Sequence, residues 1–271
     1  MKERIDVLLV QNGFFEDIEK AKRAVMAGIV LVNDMKIEKP GTQIKIDDDK
    51  ELNIRIKGKS FKYVSRGGLK LEKAVKVFGL DFAGKKVLDV GSSTGGFTDC
   101  ALSFGAEHVY AVDVGTNQLD WKLRNDERVT SIENKHIRDL TLEEINNSSI
   151  DFIVMDVSFI SITNVFNSLK KFFKADTKLM ALIKPQFEVE KEMIAKGGIV
   201  RDKKNQIFAV ERVIKEAEKH GLYLEKLDFS PIKGGKGNSE YISLFGLEKK
   251  DNADINIENI VELCENLGGA L

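Results

Sequence analysis

The stretch that decides the fold is KVLDVGSSTGGFTDCAL, residues 86–102. A run of mostly apolar residues carries Asp89 and ends at Gly91. Four small residues follow, and then a helix-like pattern begins at Gly96. Strand, glycine-rich turn and helix in that order bring backbone N–H groups close to a nucleotide-like ligand. Six further strand patterns follow at 108–115, 128–132, 150–157, 178–185, 224–231 and 240–247. Helical patterns fall near 96–104, 163–173 and 204–220. This alternation predicts an α/β fold, a doubly wound, Rossmann-like sheet of seven strands, with ligands at the carboxyl ends near the switch point.

The glycine loop excludes two common ligands. A dinucleotide fingerprint needs Gly at its third position, where Ser93 stands. A phosphate-binding P-loop needs a Lys after the loop, and there is none. The pattern is instead Asp89-x-Gly91-x-x-x-Gly95-Gly96. An acid here repels phosphate but suits the ammonium of an amino-acid moiety. S-adenosylmethionine is such a ligand, cationic and without phosphate. Asp89, Gly91, Ser92, Ser93, Thr94, Gly95, Gly96 and Phe97 are its expected neighbours. Asp113, about twenty residues on, ends the second strand, where a carboxylate binds ribose hydroxyls. Asp139, after the third strand, is expected at the adenine amino group.

The chain has 271 residues and a net charge of −1, which hides an asymmetry. Residues 1–86 hold 19 Lys+Arg against 13 Asp+Glu, and 55–86 alone hold 10 against 2. A basic N-terminal part suits a polyanion. Neither a membrane-length apolar run nor a signal-peptide pattern is present. Cys100 and Cys264 are far apart, and His108, His136 and His220 are isolated. The expectation is a cytoplasmic protein without a metal.

Before the sheet, RIDVLLVQNGFF (4–15) and DIEKAKRAVMAG (17–28) have helical spacing, with Gly13 and Gly28 as stops. IVLVND (29–34), KIEKPGTQIKI (36–46) and ELNIRIKG (51–58) are short strand patterns with a turn at Pro40–Gly41. Residues 61–68 form a linker. Leu71, Ala74, Val75 and Phe78 then define a helix that Gly79 stops. The domain division is therefore 1–60, linker 61–68, 69–249, and a tail 250–271 whose one helical pattern runs through Ile257, Ile260, Val261 and Cys264.

The acceptor atom is read from what is missing. The fourth strand ends in MDVSF (155–159), without the prolines of an amine methyltransferase. No cysteine lies near that strand end for carbon methylation. Oxygen is the better acceptor. Lys70, Asp156, Lys184 and Glu240 sit at the chain positions that a sheet of this kind brings to one mouth. A ribose hydroxyl is a weak acid and needs a general base. A lysine brought from about 10.4 to roughly 7–8 needs about 4 kcal/mol of help. Burial and a second cation push that way, and a carboxylate pushes the other. The expected base is Lys184, with Lys70 lowering its pKa and steering the hydroxyl, Asp156 orienting Lys184, and Glu240 positioning the ribose or Lys70; the alternative is that the lysines only position and stabilise and the proton leaves to water. Phe97, Phe159 and Phe187 are candidates for stacking on adenine or a target base, or for core packing.

The first sixty residues resemble the small RNA-binding module of ribosomal protein S-four. Arg4, Asp6, Leu8, Gly13, Ala21, Gly28, Val30, Val32, Asn33, Pro40 and Gly41 carry that resemblance, and Asp34 replaces the module's usual Gly. The resemblance implies RNA contacts from Arg4, Lys20 and Arg23, joined by Arg66 of the linker. Lys70, Asp156, Lys184 and Glu240 resemble the Lys-Asp-Lys-Glu tetrad of FtsJ-type ribose 2′-O-methyltransferases. The stretches RIDVLLV, VSRGGLKL, LDVGSSTGGFTD, MDVSFIS, IKPQFE, KGGIVRD and SPIKGGKGNSEY, spread over nearly all of residues 1–248, resemble the TlyA, or hemolysin A, family of ribosomal RNA 2′-O-methyltransferases. That family usually has Pro and His where this chain has Lys203 and Gln206. The resemblance implies S-adenosylmethionine as cofactor, ribosomal RNA or ribosomal subunits as partner, and a cytidine ribose as target. Three rivals are a non-catalytic RNA-binding assembly factor, a small-molecule O-methyltransferase and a membrane-active cytolysin. No membrane-seeking segment favours the last.

Overall fold

A computed structural model describes residues 2–12, 14–15, 17–33, 35–46, 54–57, 62–234, 237–249 and 255–266. The Gly13 stop, Asp34, the ends of the 51–58 strand pattern, Gly235, Lys236 and parts of the tail lie outside the described residues.

Seven strands form the main sheet: β6 (Lys86–Val90), β7 (His108–Val112), β8 (Val129–Ile132), β9 (Phe152–Met155), β10 (Lys178–Ile183), β11 (Tyr223–Phe229) and β12 (Tyr241–Gly246). Their order is β11-β12-β10-β9-β6-β7-β8. Pairings from β10 through β9, β6 and β7 to β8 are parallel. β12 runs antiparallel to both β10 and β11. The chain grows outward from β6 through β7 to β8, then restarts on the other side with β9. The switch point is therefore the gap between the ends of β6 and β9, where ligands of open α/β sheets bind. The inner strands β6, β7, β9, β10 and β12 are mostly apolar and buried because both faces are covered, while the edge strands β8 and β11 are partly exposed. One core packs around Leu88, Ile153, Phe166 and Tyr241, the other around Leu71, Val87, Cys100 and Leu182.

Helix α3 (Gly67–Phe78) packs on α4 (Gly96–Ser103) and touches β12. Its buried face contains Leu71, Ala74, Val75 and Phe78, as the spacing predicts, and Gly79 ends it in the left-handed region. Helix α8 (Lys203–Lys219) packs against α9 (Ile257–Asn266). The expected helix at 163–173 is instead a 3₁₀ turn (162–164), a short α6 (Phe166–Leu169) and a second 3₁₀ turn (170–172). The buried residues there are Ile162, Val165, Phe166, Leu169 and Phe172. Spacing of three faces one side in a 3₁₀ winding, so the tighter form buries them better. Two short helices escaped the sequence reading, α5 (Trp121–Arg124) and α7 (Pro185–Glu188).

The N-terminal unit differs from expectation at its start. Lys2–Arg4 form strand β1, paired with β4 (Gln43–Lys45), and α1 begins only at Ile5 and ends at Gln11. A second sheet joins β2 (Val30–Val32) to β3 (Met35–Ile37) and β5 (Ile54–Ile56). Helix α2 (Ile18–Met26) is capped by Asp17, whose carboxylate accepts from Lys20 N at 2.7 Å. Ile5, Leu9, Ala21, Val25 and Val30 are fully buried between these elements. Among the described residues, no helix is long and apolar enough to cross a membrane.

Candidate active site

Four charged side chains meet at the switch point. Asp156 is the first residue past β9, and its N–H donates to Val90 O on β6 at 3.2 Å. Lys184 is the first residue past β10. Pro185 opens α7 behind it and holds Lys184 in extended backbone, φ −114° and ψ 99°. Glu240 precedes β12, whose antiparallel register pairs Tyr241 with Ile183. That reversal returns the start of β12 to the rim where the parallel strands end. Lys70 reaches the rim from the first turn of α3.

The contacts are close. Lys70 Nζ lies 2.6 Å from Glu240 Oε2 and 3.3 Å from Asp156 Oδ2. Lys184 Nζ lies 2.5 Å from Asp156 Oδ1 and donates to Ser158 Oγ at 2.8 Å. The Lys184–Asp156 and Lys70–Glu240 contacts are ion pairs in distance, without an aligned hydrogen bond to Asp156 Oδ1 or Glu240 Oε2. Lys70, Lys184 and Glu240 are all buried. Burial pushes the Lys70 ammonium down, but Asp156 and Glu240 outweigh it, and Lys70 holds its proton above the ordinary lysine value. Burial likewise works against the Asp156 carboxylate, and Lys184 and Lys70 win by holding it far below its usual range. Two cations and two anions make a neutral cluster, which is how such charges tolerate a dry site.

Beside it, the 91–95 loop folds back on β7. Gly91 N and Ser92 N both donate to Val112 O, at 2.9 and 3.1 Å. Gly91, Ser93 and Gly95 all have positive φ, at 80°, 46° and 94°. A Cβ on Gly91 would sit 3.2 Å from Asp156 O, so the bare α-carbon lets the loop lie against the β9 end. Asp113 closes the loop: Oδ2 accepts from Ser93 N at 2.8 Å and Oδ1 from Gly115 N at 2.7 Å. Thr94 O accepts from Asp120 N at 3.2 Å. Asp89 is fully buried. Its Oδ2 accepts from Thr98 Oγ1 at 2.7 Å, while Oδ1 has no partner. Burial pushes its carboxyl up to about 7, and the nearby Asp156 and Asp113 charges add to that.

Several expected residues have other surroundings. Gly95 and Gly96 face protein: a Cβ would strike Leu123 Cδ1 at 2.3 Å from Gly95, and Ser65 Oγ at 2.3 Å and Gly68 N at 2.9 Å from Gly96. They are needed to seat the loop on α5 and on the segment entering α3. Phe97 is core, 3 % exposed. Asp139 stands on an exposed 3₁₀ turn (137–139) beside Arg138. The acid that directly follows β8 is Glu133, which the sequence reading missed. It accepts from the N–H groups of Asn117, Gln118 and Leu119 at 3.0, 3.1 and 3.4 Å and from Arg124 at 2.7 Å. Burial opposes its charge, but Arg124 and those N–H groups hold its carboxyl down at about 2. Its place at a strand end was the available signal. Ser158, two residues past Asp156, was also missed.

Of the cationic candidates, Arg4 forks onto the buried Asp6 at 3.0 and 2.6 Å. Lys20 lies 3.7 Å from Asp17, and Arg23 Nε donates to Glu19 O at 3.3 Å. Arg66 sits apart from them at the head of α3, bonded to Asn12 Oδ1 of the N-terminal unit and 3.4 Å from Lys233 O. Phe159 is 68 % exposed with φ +67°, and its ring centroid lies 5.6 Å from that of Phe187.

Residues 63–247 match the model of the FtsJ-like methyltransferase family, and residues 3–50 match the S4 domain. The chain belongs to the FtsJ-like methyltransferase family. It is 48 % identical over 241 residues to a Bacillus subtilis protein named "Putative rRNA methyltransferase YqxC", covering 89 % of this chain and 84 % of that one. It is 38 % identical over 240 residues to the Mycobacterium tuberculosis 16S/23S rRNA (cytidine-2′-O)-methyltransferase TlyA, covering 89 % and 88 %. A solved structure described as a "putative hemolysin" from Streptococcus thermophilus superposes with a TM-score of 0.81 at 41 % identity, covering 99 % and 98 %. Membership in this family makes the protein a methyltransferase.

Proposed function

We propose that this protein methylates a ribose 2′-hydroxyl of ribosomal RNA, a cytidine ribose in particular, with S-adenosylmethionine as donor. The observation that carries this reading is the buried Lys70–Asp156–Lys184–Glu240 cluster at the switch point, directly beside the glycine loop. The printed name of the TlyA relative supports ribosomal RNA and cytidine. The S4 match supports RNA as partner. In this reading residues 1–60 grip structured RNA, 61–68 link, and 69–249 carry the chemistry.

The residues present fit the donor. Asp89 Oδ1 is a buried acceptor without a partner, which an ammonium group satisfies. Asp113 uses one lone pair on each oxygen for the loop and keeps the others for ribose hydroxyls. Ser92, Ser93 and Thr94 form the loop that faces the donor, and Gly91, Gly95 and Gly96 shape it. When bound, S-adenosylmethionine supplies a methyl group on a sulfonium centre.

The two lysines divide the work. Lys70 has two carboxylate partners that hold its proton, so it serves as a fixed donor to the hydroxyl oxygen. Lys184 has one, shared, and is the group placed to take the 2′-hydroxyl proton. Asp156 stays ionised between them and receives the ammonium that Lys184 becomes. Glu240 pins Lys70. Phe159, exposed and held at a positive φ that costs a bulky residue, offers its ring to the target base. Arg4, Lys20 and Arg23 meet phosphates, with Arg66 at the junction.

The test incubates purified protein with ribosomal subunits and radiolabelled donor, then maps the product. The expected result is a 2′-O-methyl mark that Lys184→Ala abolishes. A base-methyl product, or transfer undiminished by Lys184→Ala, overturns the reading.

A further inference from the structure

Two features stand outside the reaction as derived, the C-terminal helix α9 and the buried amide of Gln206. They meet on one carboxylate. Glu265 Oε1, on α9, accepts from Ser239 Oγ at 2.8 Å and from Gln206 Nε2 at 3.0 Å. Ser239 immediately precedes Glu240. Gln206 Oε1 accepts from Tyr241 Oη, and Tyr241 immediately follows Glu240. Both chain neighbours of Glu240 are thus tied, directly or through one amide, to the same group. Lys233 completes the knot, donating to Ser239 Oγ at 2.9 Å and to Cys264 O of α9 at 3.0 Å. Val261 and Cys264 are buried, which roots α9 in the sheet's core.

The fit around Glu240 is narrow. A Cβ on Gly234 would lie 2.0 Å from Glu240 Oε1. The Glu240 side chain occupies the space that a side chain at 234 would need.

We infer that α9 is a clamp that sets the position of Glu240, and that Glu265 is the positioning residue through which it acts. Glu265 touches neither the reacting atoms nor Lys70. It fixes Ser239 and Tyr241, these fix Glu240, and Glu240 aims the Lys70 ammonium. The inference rests on the methyltransferase reading of the four-residue cluster.

Full-length Glu265→Ala and Glu265→Gln are compared with the wild type on ribosomal subunits. The measurements are kcat, both KM values, melting temperature and backbone hydrogen exchange over 239–241. One aligned hydrogen bond lost at a positioning shell corresponds to roughly tenfold in kcat. Glu265→Ala is expected to lose about that factor with donor KM unchanged and to exchange faster at 239–241. Glu265→Gln, whose amide oxygen still accepts from Ser239 and Gln206, is expected to recover most of the rate. Gly234→Ala, which pushes the same carboxylate without touching α9, is expected to reproduce the kcat loss and serves if Glu265→Ala does not fold. Unchanged kcat and exchange in Glu265→Ala overturns the clamp, as does an equal loss in both Glu265 variants. A wild-type protein that transfers no methyl group overturns the function, while the exchange arm still decides the clamp.

Discussion

Replacing Asp89 with asparagine separates the cost of the donor site from its use. Asp89 is fully buried with one oxygen unpartnered, and its carboxyl is pushed from an ordinary 3.8 up to about 7. Ionising it in the folded protein therefore costs about 4 kcal/mol. The sign is that of an acid raised on folding. The folded state keeps a proton that the unfolded chain releases, so stability is full below about pH 4, falls as pH rises, and levels off above about 7. The amide introduced by Asp89→Asn keeps the shape and cannot ionise. Between about pH 5 and 8 the donor-free variant should gain about 3 kcal/mol on the wild type, a relative rise in melting temperature of roughly 6–12 °C. Donor binding reverses the preference, because an ammonium partner needs the carboxylate. Only about a tenth of wild-type molecules are ionised at pH 6, so wild-type affinity should climb about tenfold between pH 6 and 8. The assay is thermal melting and calorimetry across that range, with and without S-adenosylmethionine. An Asp89→Asn protein that binds the donor as tightly as wild type, or a flat wild-type affinity from pH 6 to 8, refutes the assignment.

Lys70→Ala leaves the buried Glu240 without its counter-ion, while Asp156 keeps Lys184. It should cost about 3–5 kcal/mol, read by urea denaturation. Gly96→Ala puts a methyl group within 2.9 Å of Gly68 N, backbone that cannot yield, so it should weaken donor binding and lower the melting temperature together. Phe159→Ala should raise KM for RNA by about tenfold, the scale of one base–aromatic stack, and leave donor affinity unchanged by calorimetry. Phe159→Gly, which removes the Cβ that a positive φ disfavours, should relieve backbone strain.

The four-residue cluster was legible because strand order does the assembling. Asp156 and Lys184 end parallel strands, and any sheet built on their alternation presents both at one rim. Glu240 was legible once the last strand was placed, although its antiparallel entry is what returns it there. Asp113, the first residue past β7, obeys the same rule, and Asp89 lies one residue inside the end of β6. Glu133 obeys it too, but its work is done through backbone N–H groups of a loop sixteen residues upstream, which no local pattern announces. Asp139 and Glu133 are alike in residue type and both follow β8, and only the tertiary contacts separate the exposed turn acid from the one that gathers N–H groups. Gly95 and Gly96 were assigned to a ligand, and their tightest neighbours are Leu123 and Ser65, which only tertiary packing reveals. Arg66 carries a cation in a basic stretch, the usual sign of a polyanion contact. Its partners are Asn12 and the Lys233 carbonyl, far away in sequence. The 163–173 pattern satisfied helix and 3₁₀ spacing alike, and the core decided between them.

The reversed entry of β12 has a consequence for synthesis. The strand is inserted between β10 and β11 rather than added at the margin, and Glu240 arrives with it. A nascent chain that has emerged through β10 already holds the glycine loop, Asp156 and both lysines, yet Lys70 still lacks one counter-ion. Until β12 is in place, the buried cluster stays one carboxylate short, with two ammonium groups sharing Asp156 alone.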